Sequence, residues 1–242
     1  MKVGILADVH GNLEALRACV EALRSAEKFI CPGDIVGYGP NPNECVELLK
    51  DLAIDAVAGN HDRVISGDLD PMIFGKDAME SAIWTTKIIK GENLDYLKGL
   101  KEYLEDADYE MVHGGLNNPL EEYISSISSG LISIEKMKKP LLFVGHLHIP
   151  LVIVKEKGGN YDGWQLNDGD VIDTKQFDKV IINVGAVGQP RDMDIRASCG
   201  IFDTSEKTVE IKRVSYNISA VQEKMRKANL PDFLVERLSY GR

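Results

Sequence analysis

The chain has no basic surplus. Its 28 lysines and arginines are outnumbered by 38 aspartates and glutamates, a formal net charge of −10. A chain so charged repels polyanions, so nonspecific nucleic-acid binding is not expected. The short basic clusters Lys136, Lys138, Lys139 and Lys224, Arg226, Lys227 read as solvated helix faces. No apolar run approaches the ~20 residues that span a bilayer. The first such run, Val3 to Ala7, is too short for the core of a signal peptide and stops at Asp8. A cytoplasmic protein without a membrane partner is therefore expected. Cysteine is scarce, at positions 19, 31, 45 and 199. No two form a C-x-x-C pair, so zinc frameworks are excluded and the thiols are read as reduced, with Cys31 a small buried hydrophobe. No repeat, low-complexity tract or linker interrupts the sequence, and residues 1–242 are expected to form one α/β domain.

Histidine is also scarce, and its distribution is informative. The five histidines all fall in short polar clusters that follow apolar, strand-like runs: Asp8-Val9-His10, Gly59-Asn60-His61-Asp62, His113-Gly114-Gly115 and Gly145-His146-Leu147-His148. None is left for a helix interior or an ordinary surface. A fifth cluster of the same kind, Gly33-Asp34, carries a carboxylate instead.

The first half alternates strand and helix patterns. Val3 to Ala7, Lys28 to Cys31 and Ile54 to Ala58 read as strands. Helices are expected from Asn12 through Arg24, Glu44 to Leu52, Asp77 to Lys90 and Asn93 to Leu100. Trp84, at helical spacing from Ile88, is expected in the core. The second half is richer in strands: Tyr109 to Val112, Leu141 to Val144, Leu151 to Lys155, Val180 to Val184, Gly200 to Asp203 and Thr208 to Val214. Gly158 to Asp173 reads as a hairpin or loop. Ser219 to Asn229 and Pro231 to Leu238 read as closing helices, with Pro231 in a first turn.

Ligands of open α/β sheets bind beyond the carboxyl ends of the strands, so these clusters are expected to meet at one sheet edge. In an extended segment Asp8 and His10, or His146 and His148, point to the same side. Asp8, His10, Asp34, Asn60, His113, His146 and His148 are too many ligands for one four-coordinate metal. They suit two ions bridged by a carboxylate, with Asp34 in its tight turn as the bridge. Only two of these ligands are anionic, so two divalent ions would leave a net positive charge of about two. Such a centre suits a phosphate ester.

Taken in order, Asp-x-His, Gly-Asp-x-x-Gly, Gly-Asn-His-Asp, a lone His and Gly-His-x-His resemble the calcineurin-like metallophosphoesterases. The likeness extends over about residues 1 to 215. It is strongest toward small bacterial and archaeal members, through Gly33-Asp34-Ile35-Val36-Gly37-Tyr38-Gly39-Pro40 and Asn183-Val184-Gly185-Ala186-Val187-Gly188-Gln189-Pro190-Arg191. Where this chain has Val184 and Ala186, the family more often has proline and serine, which removes one hydroxyl but no ligand. The resemblance implies a four-layer α/β/β/α sandwich. It implies Asp8, His10, Asp34 and His148 on one metal, and Asp34, Asn60, His113 and His146 on the other. It also implies a bridging hydroxide attacking phosphorus in line, with His61 as the catalytic acid and Asp62 orienting it. Manganese heads the expected metals, with Fe, Zn, Co and Ni also allowed by mixed N/O donors.

Plainer readings stand beside these. Singly, Asp8, Asp34 and Asn60 could be turn residues, Asp62 a helix cap and His113 a core histidine. Asn12 reads first as a helix cap and second as a phosphate contact. Arg191 reads as a substrate contact or as a surface partner of Asp192 or Asp194. Tyr38 and Asn41 either line the site or shape the Gly-Pro-rich loop. The expected activity is hydrolysis of a small phosphate ester, a phosphodiester first. Alternatives are a nucleotide or dinucleoside polyphosphate hydrolase, a protein phosphatase or a non-catalytic metal-binding scaffold. Homo-oligomers are allowed. Residues 64–76 and 114–130, where specificity would lie, carry no readable motif.

Overall fold

Continuous apolar runs become strands covered on both faces. The computed structural model describes residues 1–242. Its strands are β1 (Lys2–Ile5), β2 (Lys28–Cys31), β3 (Asp55–Ala56), β4 (Tyr103–Glu105), β5 (Tyr109–Val112) and β6 (Leu141–Val144). They continue with β7 (Pro150–Glu156), β8 (Tyr161–Gln165), β9 (Val171–Asp173), β10 (Phe177–Val184), β11 (Ala197–Asp203) and β12 (Thr208–Val214). The helices are α1 (Leu13–Ala22), α2 (Pro42–Asp51), α3 (Asn60–Ser66), α4 (Lys76–Ile88), α5 (Gly91–Gly99), α6 (Ile127–Lys136), α7 (Ile218–Lys227) and α8 (Asp232–Arg237).

The strands form two six-stranded sheets, ordered β3-β2-β1-β11-β12-β9 and β4-β5-β6-β10-β7-β8. Val3, Ile5 and Ile30 from the first face Met111, Phe143 and Ile182 from the second in one apolar layer. The outer face of the first sheet is covered by Leu16 of α1, Leu49 of α2, Ile65 of α3 and Leu97 of α5. The outer face of the second is covered by Ile134 of α6 against Leu142 and Ile181. The result is the α/β/β/α sandwich, with α7 and α8 closing around a smaller cluster that includes Tyr38.

Six strands run parallel in two sets of three: β1, β2, β3 in one sheet and β5, β6, β10 in the other. Their carboxyl ends meet where the sheets adjoin, so the clusters converge between two sheets rather than at the edge of one. Asn183, at the end of β10, ties these ends together, donating from Nδ2 to Gly145 O and accepting from Gly185 N at 2.8 Å. The loop after β10 crosses the end of β1 through Val187 N to Ala7 O and Gly188 N to Asp8 O, both 2.9 Å. A Cβ on Gly188 would lie 2.0 Å from Val9 O, so only glycine permits that crossing.

Several expectations need correction. In the segment 158–173 the expected hairpin is the β7–β8 turn and β8, whereas β9 leaves it and joins the other sheet beside β12. Strand β4 lies in a stretch to which the sequence pattern assigns no element, and helices α3 and α6 are hinted at only by Asp62 as a helix cap and Lys136 on a helix face. Pro231 caps α8 rather than occupying its first turn. Trp84 is only half-buried, against the α7–α8 cluster, and Ile88 is exposed.

Candidate metal centre

Each of the seven expected ligands is buried, and all converge. Asp8 and His10 follow β1, Asp34 follows β2, and Asn60 opens α3. His113 directly follows β5, and His146 and His148 follow β6. The backbone that presents them is not extended. Asp8, His10, Asp34, His146 and His148 have φ between 48° and 69°. Non-glycine residues reach this left-handed region at a cost. The side-chain pairs therefore do not share a side through strand alternation, and His146 and His148 diverge into different donor sets.

Two sets of donor atoms gather, and Asp34 belongs to both. Asp8, His10, Asp34 and His148 form one, and Asp34, His113 and His146 the other; within each, ligand atoms lie within 4.8 Å of one another. Asp34 Oδ2 is 3.5 Å from His10 Nε2 and 3.4 Å from His113 Nε2. Asn60 joins the second set, with Oδ1 3.2 Å from His113 Nε2.

The imidazole tautomers test whether these donors fit cations. Nδ1–H of His10 donates to Val36 O (3.2 Å), that of His148 to Gln189 O (2.7 Å) and that of His113 to Pro32 O (2.9 Å). Carbonyls only accept, so each opposite Nε2 of a neutral ring carries a bare lone pair. The Nε2 atoms of His10 and His148 nevertheless face each other at 3.0 Å. Burial holds both rings well below the ordinary histidine range, so no proton sits between them. Two facing lone pairs beside carboxylates, with Asp8 Oδ2 buried and unpartnered, are the donor set of a divalent cation.

His61 lines the cavity beside these ligands, a space of about 180 Å³ also bounded by Tyr38, Phe74, Tyr123 and Arg191. Cavities of about 580 and 290 Å³ lie elsewhere, without a ligand of the centre in their walls. Asp62 does not orient the His61 ring as expected. Its carboxylate accepts from Ile35 N (3.0 Å), Val36 N (3.1 Å) and Gly59 N (2.9 Å), capping α3 and tying it to the Asp34 loop. The ring is instead stacked on Phe74, with centroids 4.2 Å apart and planes 19° apart, and its Nδ1 has no partner. The backbone N of His61 donates to Asp34 Oδ1 at 2.9 Å, which places the ring beside the shared carboxylate. Tyr123 lies similarly on His146, with centroids 3.7 Å apart. Phe74 and Tyr123 come from the two loops without a motif. Nothing in the sequence singles them out, because isolated aromatics in polar loops carry no periodicity.

Asn12 caps α1 through Ala15 N (3.1 Å) and donates to Gly188 O (2.9 Å), so both ends of its amide are used within the fold. Arg191 pairs with neither nearby aspartate. Asp192 binds Arg213 and Asp194 binds Arg196. Arg191 Nη2 donates to Tyr38 Oη (3.3 Å) and Gln189 Oε1 (3.2 Å), while its Nε is buried without a partner. Asn41 turns away, accepting from Lys224 Nζ at 3.2 Å.

Residues 1–207 match the family model of the calcineurin-like phosphoesterase superfamily domain. The chain belongs to that superfamily. It is 39% identical over 244 residues to an uncharacterized protein of Methanocaldococcus jannaschii, covering 99% of this chain and 98% of that protein. A metallophosphoesterase from Sphaerobacter thermophilus superposes with a TM-score of 0.91 at 40% identity, covering 100% of each chain. A hypothetical protein from Pyrococcus horikoshii superposes with a TM-score of 0.83 at 21% identity, covering 100% of this chain and 98% of that one, and shows the shared fold. No helix of this phosphoesterase is long and apolar enough to cross a membrane.

Charge in this phosphoesterase's centre is set by burial and by Asp34. Burial favours the neutral Asp34 carboxyl, but the surrounding His113, His61 and His10 outweigh it and hold Asp34 well below the usual range. Burial also works against His113, yet Asp34 raises it to about 9. Burial, with the charge of Asp34 added, lifts Asp8 to about 7 against the pull of His113. His146 is pushed down to about 3 by burial and then by His113.

These directions give a signed pH dependence for metal loading. Ligands bind metal unprotonated, so loading must strip His113 below about pH 9 and Asp8 below about pH 7. Affinity therefore falls as pH falls. From pH 8 to pH 6, two pH units for His113 and one for Asp8 amount to about 10³-fold over both ions. Calorimetric titration in buffers of different ionisation enthalpy should show more protons released at pH 6 than at pH 8. Loading that is independent of pH over this range would contradict the ligand assignment.

Proposed function

We propose that the protein is a metal-dependent phosphoesterase that hydrolyses small phosphate esters, phosphodiesters first, with residues 1–242 acting as one unit. The observation that carries this is the pair of buried donor sets sharing Asp34, with His61 against the shared carboxylate. Asp8, His10, Asp34 and His148 would hold one divalent ion, and Asp34, Asn60, His113 and His146 the other, with manganese as first choice. Bound there, two such ions supply Lewis acidity and a water of lowered pKa. Asp34 holds both donor sets in register and fixes the α3 amino terminus through His61 N. The neutral Asn60 carbonyl lets the centre keep the positive charge a phosphate needs. His61 donates the proton to the departing ester oxygen from its slot between Phe74 and Tyr38. Asp62 acts through the backbone, locking the Asp34 loop to α3. Arg191 offers its unpartnered Nε to the phosphate; Asn12 serves as a cap.

The diester preference rests on space. The cavity of about 180 Å³ beside the centre is neighboured by another of about 190 Å³ that shares Tyr38, Gly75 and Ala78 in its wall, on the side where a second ester arm would lie. The test strips metal, restores Mn²⁺ and compares a phosphodiester with its matching monoester. The expected result is a higher kcat/KM for the diester. Preference for the monoester moves the reading to nucleotides, sugar phosphates or phosphoproteins. No hydrolysis of either ester with both metals bound would favour a scaffold.

A further inference from the structure

A histidine ring turns about a broad, two-fold torsion, so its plane must be fixed by a hydrogen bond or by packing. His10, His113 and His148 are each anchored through Nδ1 to a carbonyl. His61 has no such anchor. Its Nδ1 is buried without a partner, and Asp62, the adjacent acid, is occupied by three backbone amides. The Nδ1 edge lies against the backbone of Gly37, where a Cβ would come within 2.5 Å of that nitrogen. The nitrogen left to face the cavity is Nε2.

Packing must therefore set the plane. Tyr38 is tilted against the ring at 51°, with centroids 4.5 Å apart, and His10 stands edge-on at 82° and 4.9 Å. Only Phe74 lies nearly parallel to it, at 19° and 4.2 Å. A parallel ring covering one face resists rotation, because any turn of the imidazole drives an edge into it. Tyr38 is also tied to Arg191 through its hydroxyl, and His10 belongs to the first donor set. Phe74 has no other contact to serve in the centre. It closes a 3₁₀ turn over Pro71–Ile73, its N donating to Pro71 O at 3.1 Å, and Asp70 Oδ1 caps that turn through Met72 N at 2.9 Å. Its side chain packs on the cluster that holds Ile65 of α3. Met72 and Ile73 are exposed. Of these three neighbouring apolar residues only Phe74 turns inward, and it meets His61.

We propose that Phe74 is a positioning residue, whose stack fixes the plane of the His61 imidazole and aims Nε2 at the departing ester oxygen. This deepens the phosphoesterase reading and rests on it. Aromatic packing here takes the place of the carbonyl that anchors each of the other three rings. A ring so held presents one nitrogen at one spot, and a misplacement of about 1 Å costs up to about 10²-fold in rate.

The first experiment needs no turnover. In full-length protein with isotope-labelled histidine, metal-free and Zn²⁺-loaded, the His61 ring protons are identified by their loss in His61→Ala. They should resonate upfield, in the ring current of Phe74. Phe74→Leu should move them downfield, whereas Phe74→Tyr, which keeps the aromatic face, and Met72→Ala, on the exposed side of the turn, should not. Ring protons that ignore Phe74→Leu would overturn the proposal. In Mn²⁺-loaded enzyme, Phe74→Leu should lower kcat for an alkyl ester by about ten- to 10²-fold, with KM and metal content near those of the parent, and Phe74→Tyr should stay close to the parent. In a His61→Ala background the same Phe74→Leu change should cost about twofold or less, because a missing ring cannot be positioned. Equal losses in both backgrounds would make Phe74 a wall of the cavity and nothing more. This cycle reads whether Phe74 acts through His61, whatever His61 itself does. A protein that hydrolyses no ester while the ring protons follow the expected order would sink the phosphoesterase reading and leave Phe74 as the residue that orients His61.

Discussion

Replacing Asp34 by Asn should abolish metal binding while leaving the fold intact. The two residues are nearly isosteric, and the amide oxygen can keep the 2.9 Å hydrogen bond from His61 N. The amide nitrogen then replaces Oδ2, which lies 3.5 and 3.4 Å from His10 Nε2 and His113 Nε2. Without the Asp34 charge that raises His113, both rings are neutral, their Nε2 lone pairs are fixed by the carbonyls behind the opposite nitrogens, and an N–H₂ group can donate to both. The substitution thus satisfies the metal-free site internally and removes the one carboxylate common to both donor sets. Metal content should fall from two ions to fewer than one per chain. Loss of several kcal/mol of charge stabilisation corresponds to at least about 10³-fold in kcat/KM. Denaturant unfolding of the metal-free variant should be no easier than that of the metal-free parent, which separates loss of metal from loss of fold. Retention of both metals with activity within about tenfold of the parent would remove Asp34 from the bridge and, with it, the dinuclear reading.

What was legible beforehand depended on where function interrupts pattern. The ligands stood out because a charged or imidazole residue directly after a buried strand is locally unfavourable, and five such breaks in a fixed order leave few explanations. The same property hid α3. It opens on Asn60 and His61 and is buried along its whole length, so it shows no amphipathic stripe. Helix α6 was hidden by composition, with serines at 128, 129 and 133 and Gly130 mid-helix. That glycine packs closely on β7: a Cβ would come within 3.0 Å of Ile153 Cδ1, the movable end of a side chain. Strand β8 was masked by its turn-like Tyr161-Asp162-Gly163 sequence and its exposed edge position. Strand periodicity says which residues are buried but not which sheet they join, so the two-sheet arrangement came only through family resemblance. The left-handed backbone at the ligands lay beyond sequence as well. Spacing alone suggested extended pairs, whereas the loops that turn Asp8, His10, Asp34, His146 and His148 inward are held by long-range hydrogen bonds. His146 N to Asp8 Oδ1 at 2.9 Å, linking residues 138 apart, is one of them. Asp62 shows the same limit: adjacency to His61 suggested a direct contact, yet its carboxylate is used by three backbone amides.

His61→Ala should then separate chemistry from assembly. Alanine keeps the backbone N–H that binds Asp34 Oδ1, so the shared carboxylate stays in place and both metals should remain bound. The lost ring was stacked on Phe74 and made no side-chain hydrogen bond that the fold needs. Burial holds His61 down to about 4, with Arg191 and His113 adding to it against the pull of Asp34. The free enzyme therefore carries a neutral imidazole at pH 7, and the proton must arrive with the anionic substrate, whose charge favours the imidazolium. A proton donor matters most when the departing oxygen is a poor leaving group. For an alkyl ester the variant should lose about 10²–10⁴-fold in kcat. For a nitrophenyl ester, whose oxygen leaves without help, the loss should shrink to about tenfold or less. Equal losses on both esters at full metal occupancy would mean that His61 only holds the phosphate, as a neutral N–H donor. Loss of a metal from the variant would mean that it belongs with the ligands. The leaving-group dependence is decisive because positioning affects both esters alike, whereas proton donation does not.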